Sequence, residues 1–130
     1  MVFFYGTLMG GFERRRRLGV DAKLEFVGRG WIQAALFDLG LYPAAVPDPE
    51  GCVWGETYRI EEAGAVLPAL DEVEGFDPDN LDRSLYVRTR TAVTLADGRV
   101  EDAWVYFYNA PLGAAQRIPS GDYLEHVRVR

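Results

Sequence analysis

The stretch from Leu85 to Tyr108 constrains this chain more than any other. Leu85 to Leu95 and Val100 to Tyr108 both alternate apolar and polar residues, the period of a strand with one buried face, and Ala96-Asp97-Gly98-Arg99 joins them. An Asp-Gly pair between two such runs is the strongest short hairpin signal, so the two predict an antiparallel pair. Earlier segments read the same way. Val2 to Tyr5 predicts a first strand, Leu24 to Val27 and Trp31 to Asp38 predict strands interrupted at Gly28-Arg29-Gly30 by a bend or bulge, and Cys52 to Ile60 predicts another. The proline-bearing stretch Tyr42 to Gly51 predicts an irregular strand running into a turn, since each proline withholds a ladder donor and favours a sheet edge.

Helices are fewer. Phe12 to Leu18 predicts a short one. Val66, Leu70 and Val73 fall at i, i+4 and i+7, which puts an apolar stripe on a helix within Glu61 to Glu74, ended by Gly75. Pro68 removes a hydrogen bond from its interior and predicts a kink, or a new helix beginning there. Many strands and few helices argue for an α+β domain with a mostly antiparallel, barrel-like sheet rather than a doubly wound one. With 130 residues and no internal repeat, low-complexity tract or linker, a single domain over residues 1 to 130 is expected, able to bury roughly two thirds of its unfolded surface.

Charge and composition exclude several classes of function. Fourteen basic against twenty acidic residues give a net charge of −6, the wrong sign for binding nucleic acid through its phosphates. One local exception is Glu13 followed by Arg14, Arg15, Arg16 and Arg17, which reads as a solvated helix face or a dock for an anionic partner. No segment has the apolar length to span a bilayer, and Met1 to Tyr5 lacks the basic start and long apolar region of a signal peptide. A cytoplasmic protein without membrane association is therefore expected. Cys52 is the sole cysteine, so no intramolecular disulfide can form, and with the sole histidine, His126, it cannot build a Cys/His zinc site. A buried thiol and an exposed or packed imidazole are expected, with neither a metal nor an organic cofactor. The residues carry no signal of an oligomeric state.

Chemistry is then left to two stretches. In Tyr5-Gly6-Thr7-Leu8 the bare backbone at Gly6 lets a ligand approach, and consecutive amides leaving a strand can form a small anion-binding concavity suited to a carboxylate. A plain tight turn fits the same residues. In Leu70-Asp71-Glu72-Val73-Glu74-Gly75-Phe76, Glu74 falls in the last helical turn, on the side of the apolar stripe and beside Phe76. The helix dipole and apolar neighbours both favour its neutral form, as a general acid/base near neutral pH requires. Asp71 and Glu72 read as exposed helix charges.

Those stretches occur in a distinctive order. Tyr5-Gly6-Thr7-Leu8 ends a first strand, Tyr42-Pro43 follows, Val53-Trp54-Gly55-Glu56 opens a strand, Leu70 to Gly75 closes a helix, Tyr86-Val87-Arg88 opens the next strand, and Ile118 to Tyr123 ends the set. Over nearly the whole chain this order resembles the gamma-glutamylcyclotransferase-like family, which includes the gamma-glutamylamine cyclotransferases. Tyr123 stands where the family often has tryptophan. The resemblance implies a small mixed β-barrel flanked by a few short helices, and an enzyme that cyclises the glutamyl part of a gamma-glutamyl amine or amino acid to 5-oxoproline. It implies Glu74 as the catalytic carboxylate and Tyr5, Gly6, Thr7, Leu8 and Tyr86 as the substrate-binding set. Tyr86 is able to hydrogen-bond the substrate or Glu74, or simply to pack on its strand. Arg88, two residues on and facing the same way, could pair with a carboxylate, Glu74 included. A binding module without turnover and a hydrolase using Glu74 to activate water are the alternatives, though a mere binder has no use for a proton shuttle.

Overall fold

A computed structural model of the chain describes residues 1–9 and 19–128. The predicted helix over Phe12 to Leu18 and the Arg14 to Arg17 run lie outside the described residues. Five strands close a barrel in the order β1 (Val2–Phe4), β5 (Val53–Ile60), β2 (Leu24–Ile32), β6 (Tyr86–Leu95) and β7 (Val100–Tyr108). All their pairings are antiparallel except the closing seam, where β1 meets β7 in parallel with Val2 opposite Trp104. A smaller sheet of β4 (Pro43–Pro47), β3 (Ala34–Asp38) and β8 (Gln116–Arg117) lies alongside.

The hairpin of β6 and β7 forms as the sequence predicts, with residues paired from Tyr86 opposite Tyr108 to Thr94 opposite Val100. Strand β2 is longer than expected: it runs through Gly28-Arg29-Gly30 and takes up the irregularity as a register shift between Phe26 and Gly28. The interruption falls instead at Gln33, where the chain leaves the barrel for the small sheet. Both prolines of β4 sit on a strand that ends its sheet, where a missing N–H costs no ladder bond.

Helix α1 (Ala63–Glu74) continues through Pro68 as one helix. Val66 and Leu70 are fully buried, and each contributes about 2 kcal/mol by leaving water. The helix ends at Gly75, whose φ of 66° is left-handed backbone that glycine adopts without a Cβ penalty. The amide of Gly75 donates to the Glu72 carbonyl at 3.2 Å and that of Phe76 to the Asp71 carbonyl at 2.9 Å, which satisfies two otherwise orphaned acceptors. A short second helix, α2 (Tyr123–Arg128), is tied back to β3 by His126 Nε2 and Asp38 Oδ2, 2.7 Å apart, and to β2 by the Arg29–Asp122 pair. Cys52, expected to be buried, is exposed: it stands just before β5, where the chain has not yet entered the barrel wall. Among the described residues no helix is long and apolar enough to cross a membrane.

Candidate active site

The first strand ends at Tyr5, and the chain turns at once, with the Met9 amide donating to the Gly6 carbonyl at 3.0 Å. Gly6 has no room for a side chain. A Cβ there would lie 2.6 Å from Cγ of Pro43 and 3.1 Å from its Cδ, closer than a stiff ring can accommodate. The turn therefore packs directly on the start of β4, and this contact forms one corner of a pocket with about 360 Å³ of empty space, part of it open to solvent. Phe3, Phe4 and Tyr5 line it from β1, and Gly6, Thr7 and Leu8 from the turn. Tyr42 and Pro43 close a second side, Glu74 enters from the end of α1, and Tyr86 and Tyr106 complete the wall from the barrel. Glu74, Tyr5, Gly6, Thr7, Leu8 and Tyr86, the whole set implied by the family resemblance, thus border one pocket.

The tyrosine hydroxyls hold the walls together. Tyr5 donates to the Tyr106 carbonyl at 2.5 Å and accepts from the Ala45 amide at 3.3 Å, while Tyr86 donates to the Pro43 carbonyl at 2.9 Å. Both rings are buried and face the pocket, so Tyr5 and Tyr86 contribute aromatic surface there while their protons go to the backbone. Burial pushes the Tyr5 phenol well above its ordinary range, and the neighbouring Tyr86 and the Glu74 carboxylate add to the effect. Tyr106 is shifted up likewise, by burial first, then by its hydrogen bond to Asp71 and the charges of Asp71 and Glu74, with Arg88 opposing. Glu74 thus adds to the upward shift of both phenols.

One sequence expectation is corrected here. Asp71 is not an exposed helix charge but is 8% exposed, lying against β6 and β7. Asp71 is also the carboxylate with which Arg88 pairs, through Nε at 2.8 Å and a terminal nitrogen at 3.2 Å, one of the pairings expected of Arg88. Tyr106 donates a third hydrogen bond to Asp71, at 2.6 Å. Glu72 is exposed as expected. Sequence reasoning overlooked Tyr106 and Asp71, and the hairpin held the signal: its register sets Arg88 directly opposite Tyr106, and a cation and a phenol side by side on one face call for a buried acceptor.

Among the described residues, a small closed barrel thus carries an aromatic pocket that Glu74 enters from a helix end. The comparisons narrow this. Residues 2–125 match the model of the gamma-glutamyl cyclotransferase, AIG2-like family, and the chain belongs to that family. It is similar to MJ1514 of Methanocaldococcus jannaschii, 30% identical over 128 residues that cover 96% of each chain. It is also similar to the gamma-glutamylcyclotransferase family protein YtfP of Escherichia coli, 37% identical over 93 residues, covering 69% of this chain and 67% of that one. The crystal structure of an AIG2-like protein from Mus musculus superposes with a TM-score of 0.72 at 26% identity, over 94% of this chain and 86% of that one. The α+β barrel architecture is that of the family.

Proposed function

We propose that the protein cyclises the glutamyl part of a gamma-glutamyl amine or gamma-glutamyl amino acid to 5-oxoproline and releases the amine. One observation carries this reading: Glu74 and the Gly6-Thr7-Leu8 turn, far apart in sequence, border the same pocket in a member of this family. The substrate brings its own nucleophile. Its α-amine attacks the γ-carbonyl, a C–N bond forms as the ring closes, and the original C–N bond to the leaving amine breaks. Glu74 takes the proton from the attacking amine and returns it to the departing nitrogen. The amides of the turn hold either the α-carboxylate or the oxyanion that develops on the γ-carbonyl, and the aromatic walls keep the glutamyl chain folded so that amine and carbonyl meet.

Glu74→Gln keeps the shape of the side chain and removes the proton shuttle. We expect 5-oxoproline formation to fall about a hundredfold or more, with affinity for a non-cyclisable gamma-glutamyl analogue retained. The exposed Glu72→Gln serves as control and stays near the parent rate. Gamma-glutamyl amino acids and gamma-glutamyl-ε-lysine are both offered, with products followed by mass spectrometry. Glutamate in place of 5-oxoproline assigns a hydrolase, and binding without product assigns a binding module. A Glu74→Gln variant as fast as the parent removes Glu74 from the mechanism.

A further inference from the structure

Asp71 is the one charged side chain among the described residues that is buried, and it lies outside the pocket. Its carboxylate is fully engaged: Arg88 grips both oxygens and the Tyr106 hydroxyl shares one of them. Arg88 is itself held, with its guanidinium 4.4 Å from the ring centre of Trp104 and 5.6 Å from that of Phe76. Phe76 returns the grip, since its amide donates to the Asp71 carbonyl. The side chain of Asp71 therefore clamps the end of α1 to β6 and β7, while its carbonyl holds the helix cap through Phe76. A buried ion pair adds little net stability over apolar residues of the same size, so its presence is better explained by the geometry it enforces.

That geometry concerns Glu74, three residues on in the same turn. We propose that Asp71, acting through Tyr106 and Arg88, is a positioning residue that fixes the Glu74 carboxylate relative to the Gly6-Thr7-Leu8 turn; this rests on the cyclotransferase reading above. Tyr106 is the joint. Its hydroxyl holds Asp71 and so the helix end, its carbonyl holds the Tyr5 hydroxyl and so the strand that delivers the turn, and its ring lines the pocket between them. The proton-transferring carboxylate and the anion-holding amides are thus referenced to one residue. Reaction rates are sensitive to such placement, because about an ångström of error costs on the order of a hundredfold.

Two variants of the full chain test this: Asp71→Asn and Tyr106→Phe. Each is assayed well below its own unfolding temperature, so that lost stability does not masquerade as lost activity. In Asp71→Asn and Tyr106→Phe we expect kcat to fall about tenfold or more with KM within about threefold, the split produced when a residue matters in the transition state rather than in binding. We expect hydrogen exchange at the Gly75 and Phe76 amides to quicken about tenfold while the amides of β3 and β4 hold, because the loosening is confined to the helix end. A kcat within twofold of the parent, or unchanged exchange at both amides, overturns the proposal. Should Asp71→Asn not fold, Tyr106→Phe decides, since it leaves the ion pair in place. Should the parent form no 5-oxoproline, the reading of function fails, and the exchange measurement alone still judges whether Asp71 holds the helix end.

Discussion

At the scale of single residues, the bare backbone at Gly6 is what lets the turn after β1 pack directly on the ring of Pro43. Gly6 was legible as a position where the backbone must be bare, but the atom that demands it belongs to Pro43, and nothing along the chain signals that approach. Asp71 was misread because a carboxylate on a helix is normally solvated, and only the facing cation and phenol of the hairpin reverse that expectation. Thr57 was invisible for the opposite reason. It alternates correctly on β5, opposite Phe3 and Gly28, yet its hydroxyl is fully buried without a hydrogen-bond partner among the described residues. Valine has the same shape without the hydroxyl. Thr57→Val should therefore raise stability by about 1 kcal/mol, the lower end of what an unsatisfied buried group costs. Urea unfolding followed by circular dichroism measures this, and a midpoint below the parent's would mean that the hydroxyl contributes something the packing does not reveal.

At the scale of elements, period and punctuation carried most of the reading. The hairpin, the helix stripe at Val66 and Leu70, and the stop at Gly75 all follow from residue types that act locally. Boundaries were weaker where two local signals competed. Gly28 and Gly30 looked like a strand break, but β5 pairs along the whole of β2 and converts the weakness into a register shift. Pro68 looked like a kink or a helix start, but the burial of Val66 two residues before it and Leu70 two after holds a single helix together across it. That continuity comes at a cost, because Pro68 has no N–H for the Gly64 carbonyl and its ring crowds the preceding turn. The residue is exposed, so its side chain contributes little to packing. Pro68→Ala should stabilise the fold by about 1 to 3 kcal/mol, read as a higher thermal midpoint. A midpoint that falls would indicate that the proline bends the helix to fit the barrel.

At the scale of the whole molecule, the α+β class and, through the family resemblance, the mixed barrel were legible, but not which strands close it. Strand count and the hairpin argue for an antiparallel sheet, whereas the parallel seam between β1 and β7 depends on three-dimensional curvature that no local motif encodes. The pocket sits beside that seam, and its buried phenols link the fold to pH. Tyr5 and Tyr106 are both shifted upward, so the folded protein keeps two protons that the unfolded chain releases above about pH 10. Their contribution to stability is complete below that pH and is lost as pH rises beyond it. The unfolding free energy should then decline by as much as about 2.7 kcal/mol per pH unit from these two groups, and Tyr106→Phe should halve that slope. Phenolate absorbance from the two should appear only as the protein unfolds, and ionisation of both within the folded state near pH 10 would contradict the assignment. The seam has a further consequence, in time rather than in space. Of the five barrel strands β1 is made first, but its places are between β5, made midway, and β7, made last. Phe3 and Phe4 can pair with β5 once Val53–Ile60 is made, but the other flank of β1 and the Tyr106 side of the pocket must wait for Val100–Tyr108. A growing chain accordingly carries the glycine turn and the helix carboxylate long before it carries the whole pocket, whose Tyr106 wall is supplied by its seventh strand.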